Sequence, residues 1–138
     1  MSYLIDTNVI SELTRAKPAA AVTAWFEEVA DEALHLSVLT VGELRRGVER
    51  LPRGARKEKL RHWLEQDLAV WFGDRLLPID SAVADLWGRM QAAADRTLPA
   101  IDSLLAATAL RHQLRLVTRN IEDFEIEGLE TVNPWSGR

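Results

Sequence analysis

Apolar residues along this chain follow two rhythms. Short apolar runs at 3–6, 35–39, 75–79, 114–118 and 129–133 read as strands, with Pro78 confining the third to a sheet edge or strand end. Between them, apolar positions recur at helical spacing. Val9 to Leu13 predicts a short helix, and Pro18 suits the start of the next, which runs through "AAAVTAWFEEVA". Thr40 opens a helix with Val41, Leu44, Val48 and Leu51 on one face, until Pro52 and Gly54 break it. Leu60, Trp63, Leu64, Trp71 and Phe72 share one side of a further helix. Ser81 to Ala94 turns Val83, Leu86, Trp87 and Met90 inward; Ile101 to His112 follows after a break at Thr97 to Pro99. Strands alternating with helices predict an α/β fold with a mostly parallel central sheet. No repeat, low-complexity tract or linker divides residues 1–138, so a single domain is expected.

Composition narrows the chemistry. A hydrophobic fraction of 47% over 138 residues suffices for a core. No apolar run approaches membrane length, and the N-terminus lacks the basic region and apolar block of a secretory signal. Cysteine is absent, which excludes disulfides, zinc–thiolate sites and thiol nucleophiles, and fits a cytoplasmic protein. The net charge of −4 does not suggest a polyanion binder, yet the charge is unevenly placed. Arg45, Arg46, Arg50, Arg53, Arg56, Lys57, Lys59 and Arg61 lie in one short segment, opposed only by Glu49 and Glu58. That segment is either a solvated helix face or a local field for a polyanion. Trp25, Trp63, Trp71 and Trp87 fall at core spacing, and the lone His35, His62 and His112 read as structural or surface residues.

The acids fall in register with the expected strands. Asp6 ends the first strand, Glu43 lies one helical turn after the second, Asp102 sits in a first helical turn, and Asp123 follows the fourth strand. In a parallel α/β sheet these positions open on one edge, where such folds bind ligands. Each has a plain alternative. Asp6 suits a helix cap, Thr40 to Glu43 a capping box, Asp102 a helix dipole and Asp123 a turn. Together, four clustered carboxylates would repel one another, and a divalent cation would relieve the repulsion. An all-oxygen site favours Mg²⁺ or Mn²⁺ over zinc, with a phosphate substrate completing the coordination. Glycoside cleavage by two carboxylates explains neither the four acids nor the basic segment. A metallophosphatase acting on small substrates does not need that segment either.

"LIDTNVISEL" at 4–13, "VGELRRGV" at 41–48, "PAIDSLLAATAL" at 99–110 and "LVTRNIEDFE" at 116–125 together resemble the PIN-domain ribonucleases. More narrowly they resemble the VapC-type toxins of bacterial toxin–antitoxin pairs. The likeness extends to "NPW" at 133–135. It implies an α/β/α sandwich and metal-dependent cleavage of RNA, with Asp6, Glu43 and Asp102 as catalytic metal ligands. Many relatives carry the fourth acid where this chain has Asn120, which could ligate only as a neutral carbonyl. Others carry it where Asp123 stands, and Asp123 is therefore expected as an outer or second-metal ligand. Asn8 and Thr118 match polar positions that orient the carboxylates or water, with Thr7 and Asn8 holding Asp6.

The same resemblance implies a homodimer and a cognate antitoxin, with DNA bound only through that antitoxin. The antitoxin's C-terminal segment is expected to block the site with an Arg or Lys between the acids. Arg45, Arg46, Arg53, Arg56 and Lys57 are the expected RNA contacts. The alternative is a catalytically weak PIN module that binds RNA or a protein partner without cutting.

Overall fold

In the computed structural model, which describes residues 1–136, five strands form one sheet. They are β1 (Tyr3–Ile5), β2 (Leu34–Ser37), β3 (Leu76–Leu77), β4 (Arg115–Val117) and β5 (Thr131–Val132). The last two positions of the expected 1–138 domain lie outside the described residues. The order is β3-β2-β1-β4-β5, and every described pairing is parallel. The inner strands β1, β2 and β4 are largely buried on both faces, which is why their runs read as continuously apolar rather than alternating, while the edge strands β3 and β5 are only partly covered. Ile5 and Val117 pack into one layer; Leu4 and Leu116, their neighbours, pack into the other.

The first layer is covered by α1 (Thr7–Glu12), α2 (Ala20–Glu28), α3 (Val38–Glu49), α4 (Ala55–His62) and α5 (Leu68–Phe72). The second is covered by α7 (Ala100–Arg111), against which α6 (Ser81–Ala93) packs. The result is an α/β/α sandwich. Trp25, Trp63 and Trp71 pack on the first core as expected. The chain runs helically from residue 55 to 72, with one wider turn, Trp63–Asp67, between α4 and α5.

Two helix starts differ from the sequence reading. α1 begins directly at Thr7, because the Asp6 carboxylate already caps it. α3 begins at Val38, because Ser37 ends β2 and its hydroxyl accepts from the Leu39 N–H at 3.0 Å. The Thr40–Glu43 capping box is therefore absent. Thr40 lies inside the helix, wholly buried, with its hydroxyl unpartnered among the described residues. The shift frees Glu43 from a capping role.

Candidate active site

β1 lies between β2 and β4, so the crossovers leave in opposite directions and a crevice opens at the strand carboxyl ends. Asp6 stands there. It is 9% exposed, and its backbone N–H donates to the Val117 carbonyl at 2.9 Å. One carboxylate oxygen accepts from the Thr7 N–H at 2.7 Å, the other from the Thr118 hydroxyl at 2.8 Å. Thr118 is itself fully buried and accepts from the Asn120 N–H at 3.1 Å. Asp6 is thus held by the start of α1 and by the end of β4. Burial pushes its carboxyl above the usual range, the Thr118 and Thr7 bonds pull it back, and nearby Glu43 and Asp102 push it up again.

Glu43, on α3, accepts from the Thr7 hydroxyl at 2.6 Å. Thr7 therefore serves two acids, Asp6 through its backbone and Glu43 through its side chain. The expectation that Asn8 holds Asp6 is corrected. Its side-chain oxygen accepts from the Arg119 N–H at 3.3 Å and so braces the end of β4.

Asp102 sits in the first turn of α7. Its position is set by α6, because Trp87 donates to the buried Ser103 hydroxyl at 2.8 Å. Gln91 makes two 3.0 Å bonds to the backbone of Leu98, just before α7. Burial raises the Asp102 carboxyl above its usual range, and Asp123 and Glu43 raise it further. Asp123 is exposed, in the helical turn Ile121–Phe124. Asn120 touches the centre through its backbone, donating to Thr118.

Asp6 and Asp102 therefore each feel at least one of the other acids. Among the described residues, no three acidic or histidine side chains are gathered closely enough to hold a metal ion. The centre is a set of mutually repelling carboxylates rather than a closed cage. Its donors are carboxylate oxygens, which suit a hard divalent cation.

Beyond Glu43 the surface opens into a groove between α1 and α4. A section of about 320 Å³ is lined by Thr7, Glu43, Val48, Arg56, Leu60 and Trp63. It continues past Leu13, Arg15 and Lys59. Arg56 thus faces the same groove as Glu43. The other basic residues are unequally available. Arg45 is paired with Glu65 at 2.7 Å and Glu49 at 3.2 Å, and Lys57 donates to the Glu49 carbonyl at 3.1 Å. Arg46, Arg53 and Arg56 make no ion pair among the described residues.

The sequence reading missed the Thr7–Glu43 bond and the support that Trp87 and Gln91 give to the Asp102 helix. Thr7 is adjacent to a candidate ligand, which was a usable signal. Trp87 and Gln91 carried none.

The family model described as "PIN domain" matches residues 3–126. The chain is 38% identical to "Toxin FitB" of Neisseria gonorrhoeae over 135 residues, covering 96% of this chain and 97% of that protein. It is 38% identical to "VapC ribonuclease Y4jK" of Sinorhizobium fredii, covering 96% of each. Among solved structures, that of FitAB bound to a DNA fragment matches with a TM-score of 0.90 and 36% identity, covering 96% of this chain and 95% of that one.

Proposed function

The chain belongs to the PIN-domain family, and from that premise we infer that it is an endoribonuclease, the toxin of a toxin–antitoxin pair. The observation that carries this reading is the meeting of Asp6, Glu43 and Asp102 at one strand edge, with Asp6 raised by burial and by the charge of Glu43 and Asp102, and Asp102 by burial and by the charge of Asp123 and Glu43. A structural role alone gives no reason to hold acids against such repulsion. These three would hold a divalent cation once its charge drew their side chains together, with Asp123 at the outer edge. We propose Mg²⁺, with Mn²⁺ as its substitute. When bound, that ion polarises the phosphate and makes a water more acidic.

The chain's own residues supply the rest. Thr118 and the Thr7 amide fix the Asp6 carboxylate before substrate arrives. The Thr7 hydroxyl fixes Glu43. Arg46, Arg53 and Arg56 offer unpaired charge to the RNA backbone. Arg45 and Lys57 would first have to leave their present partners, which lowers their weight in the proposed set.

The groove suits the partner that membership of the family implies. A cognate antitoxin would lay its C-terminal segment along the groove from Leu13 to Glu43, with apolar side chains against Leu60 and Trp63. An Arg or Lys from it would then meet Asp6, Glu43 and Asp102. DNA would be reached only through that antitoxin. No helix among the described residues is long and apolar enough to cross a membrane, and we place the protein in the cytoplasm, as a homodimer. Induced expression tests the reading. Growth should stop and new RNA ends should appear at a defined sequence or structure, both reversed by the antitoxin. Continued growth with unchanged RNA ends favours the non-cutting PIN module.

A further inference from the structure

Another cation stands at the rim of the crevice, outside the basic segment. Arg119 follows Thr118 at the end of β4, so it hangs on the residue next to the one that holds Asp6. Its backbone is tied on both sides. The N–H donates to Asn8, and the carbonyl accepts from the Asn133 amide, each at 3.3 Å. Asn133 in turn accepts from the Trp135 N–H at 2.9 Å. The Arg119 guanidinium lies over the Trp135 ring, 4.8 Å from its centroid, and Trp135 packs against the first core. The "NPW" stretch at 133–135 is thus a clamp on one arginine.

That arginine is exposed, and among the described residues it pairs with no carboxylate. This is unusual beside an acidic crevice. Stacking uses the face of the guanidinium plane and leaves its N–H edge free for a planar or tetrahedral oxyanion. The stack also reduces the rotamer freedom lost on contact. Arg119 and Trp135 follow β4 and β5, whereas segment 45–61 follows β2, so β1 and Asp6 lie between the two cationic regions.

We propose that Arg119, stacked on Trp135, is a phosphate-binding residue that grips the RNA backbone beside the scissile bond, on the side opposite segment 45–61. The proposal rests on the RNA-cleavage reading for its substrate. It is tested with the full chain and a fluorescein-labelled single-stranded RNA in EDTA, by anisotropy across a salt series. Arg119→Ala should weaken binding about tenfold and reduce the salt slope by about 0.7. In Mg²⁺ the loss should fall on KM, with kcat nearly unchanged. Arg119→Lys should restore the slope and part of the affinity. Trp135→Leu should weaken affinity with the slope intact, because the charge remains while its support is lost.

Unchanged KM and slope in Arg119→Ala would mean that the pair only anchors the C-terminal segment, and would overturn the proposal. So would an affinity loss accompanied by a lowered melting temperature and not recovered in slope by Arg119→Lys. Binding in EDTA needs no cleavage. A wild-type protein that binds but never cuts in Mg²⁺ or Mn²⁺ therefore sinks the nuclease reading, while the slope still decides the role of Arg119.

Discussion

Replacing Thr118 with Val removes one hydroxyl and keeps the side chain's shape. That hydroxyl is buried and donates to Asp6 at 2.8 Å. A hydrogen bond to an ionised group contributes about 1.5–3 kcal/mol, and burial leaves little solvent to replace it. The Asn120 N–H also loses its acceptor, but Asn120 is exposed and can turn to water. For a chain of this size the loss corresponds to a melting temperature lower by about 5–10 °C. The pH dependence has a definite sign. The bond lowers the Asp6 pKa in the folded state, so its removal raises that pKa further. The stability deficit is therefore full above the range in which Asp6 ionises and shrinks as pH falls through that range. Cleavage should require about 10–100-fold more Mg²⁺ for half-maximal rate, the cost usual for losing a group that orients a metal ligand. Thermal unfolding in EDTA at neutral and acid pH, with a Mg²⁺ titration of cleavage, measures all three effects. A pH-independent deficit with an unchanged Mg²⁺ requirement would refute the reasoning that Thr118 holds Asp6.

Other substitutions separate charge from geometry. Asp6→Asn and Asp102→Asn should keep or raise the metal-free melting temperature at neutral pH, because both carboxyls are raised by burial and repulsion. The penalty they relieve is present above the ordinary carboxylate pKa and vanishes below it, so the gain should close in acid; a stability loss at neutral pH argues against repulsion. Replacing Arg53, Arg56 and Lys57 together with Ala should weaken RNA binding and lower the salt slope by about 2 for single-stranded RNA. An unchanged slope would mean that this segment is only a solvated helix face. Raising Mg²⁺ at constant ionic strength should weaken the antitoxin's apparent affinity, read by calorimetric titration, because both compete for Asp6, Glu43 and Asp102. Equal antitoxin affinity for wild type and Asp102→Asn would place the partner elsewhere.

The sheet and the acids were legible in the sequence because burial on both faces writes unbroken apolar runs in the inner strands, and two of those runs end directly at residues of the site. Leu4–Ile5 into Asp6 and Leu116–Val117 into Thr118 are the clearest cases. The α3 start was misread because Ser37 and Thr40 are both competent caps, and only the end of β2 decides between them. The use of Thr7 was half legible. Its place beside Asp6 suggested support, but its reach to Glu43 depends on how α1 meets α3. The pairing of Arg45 with Glu65 was invisible, because it joins α3 to the turn after α4 across residues with no periodic relation. For the same reason Arg119 read as part of "TRN" without a role, since Asn133 and Trp135 reach it only once β5 lies beside β4.

The central claim is that Asp6, Glu43 and Asp102 form one metal-dependent centre for cutting RNA. The most direct test is cleavage of total cellular RNA by the purified chain, in EDTA and then with Mg²⁺ restored, comparing wild type with Asp6→Asn and Asp102→Asn. The account predicts defined fragments from wild type only when Mg²⁺ is present, and none from either variant although both remain folded. Cleavage that persists in EDTA, or full activity in Asp6→Asn, would contradict it.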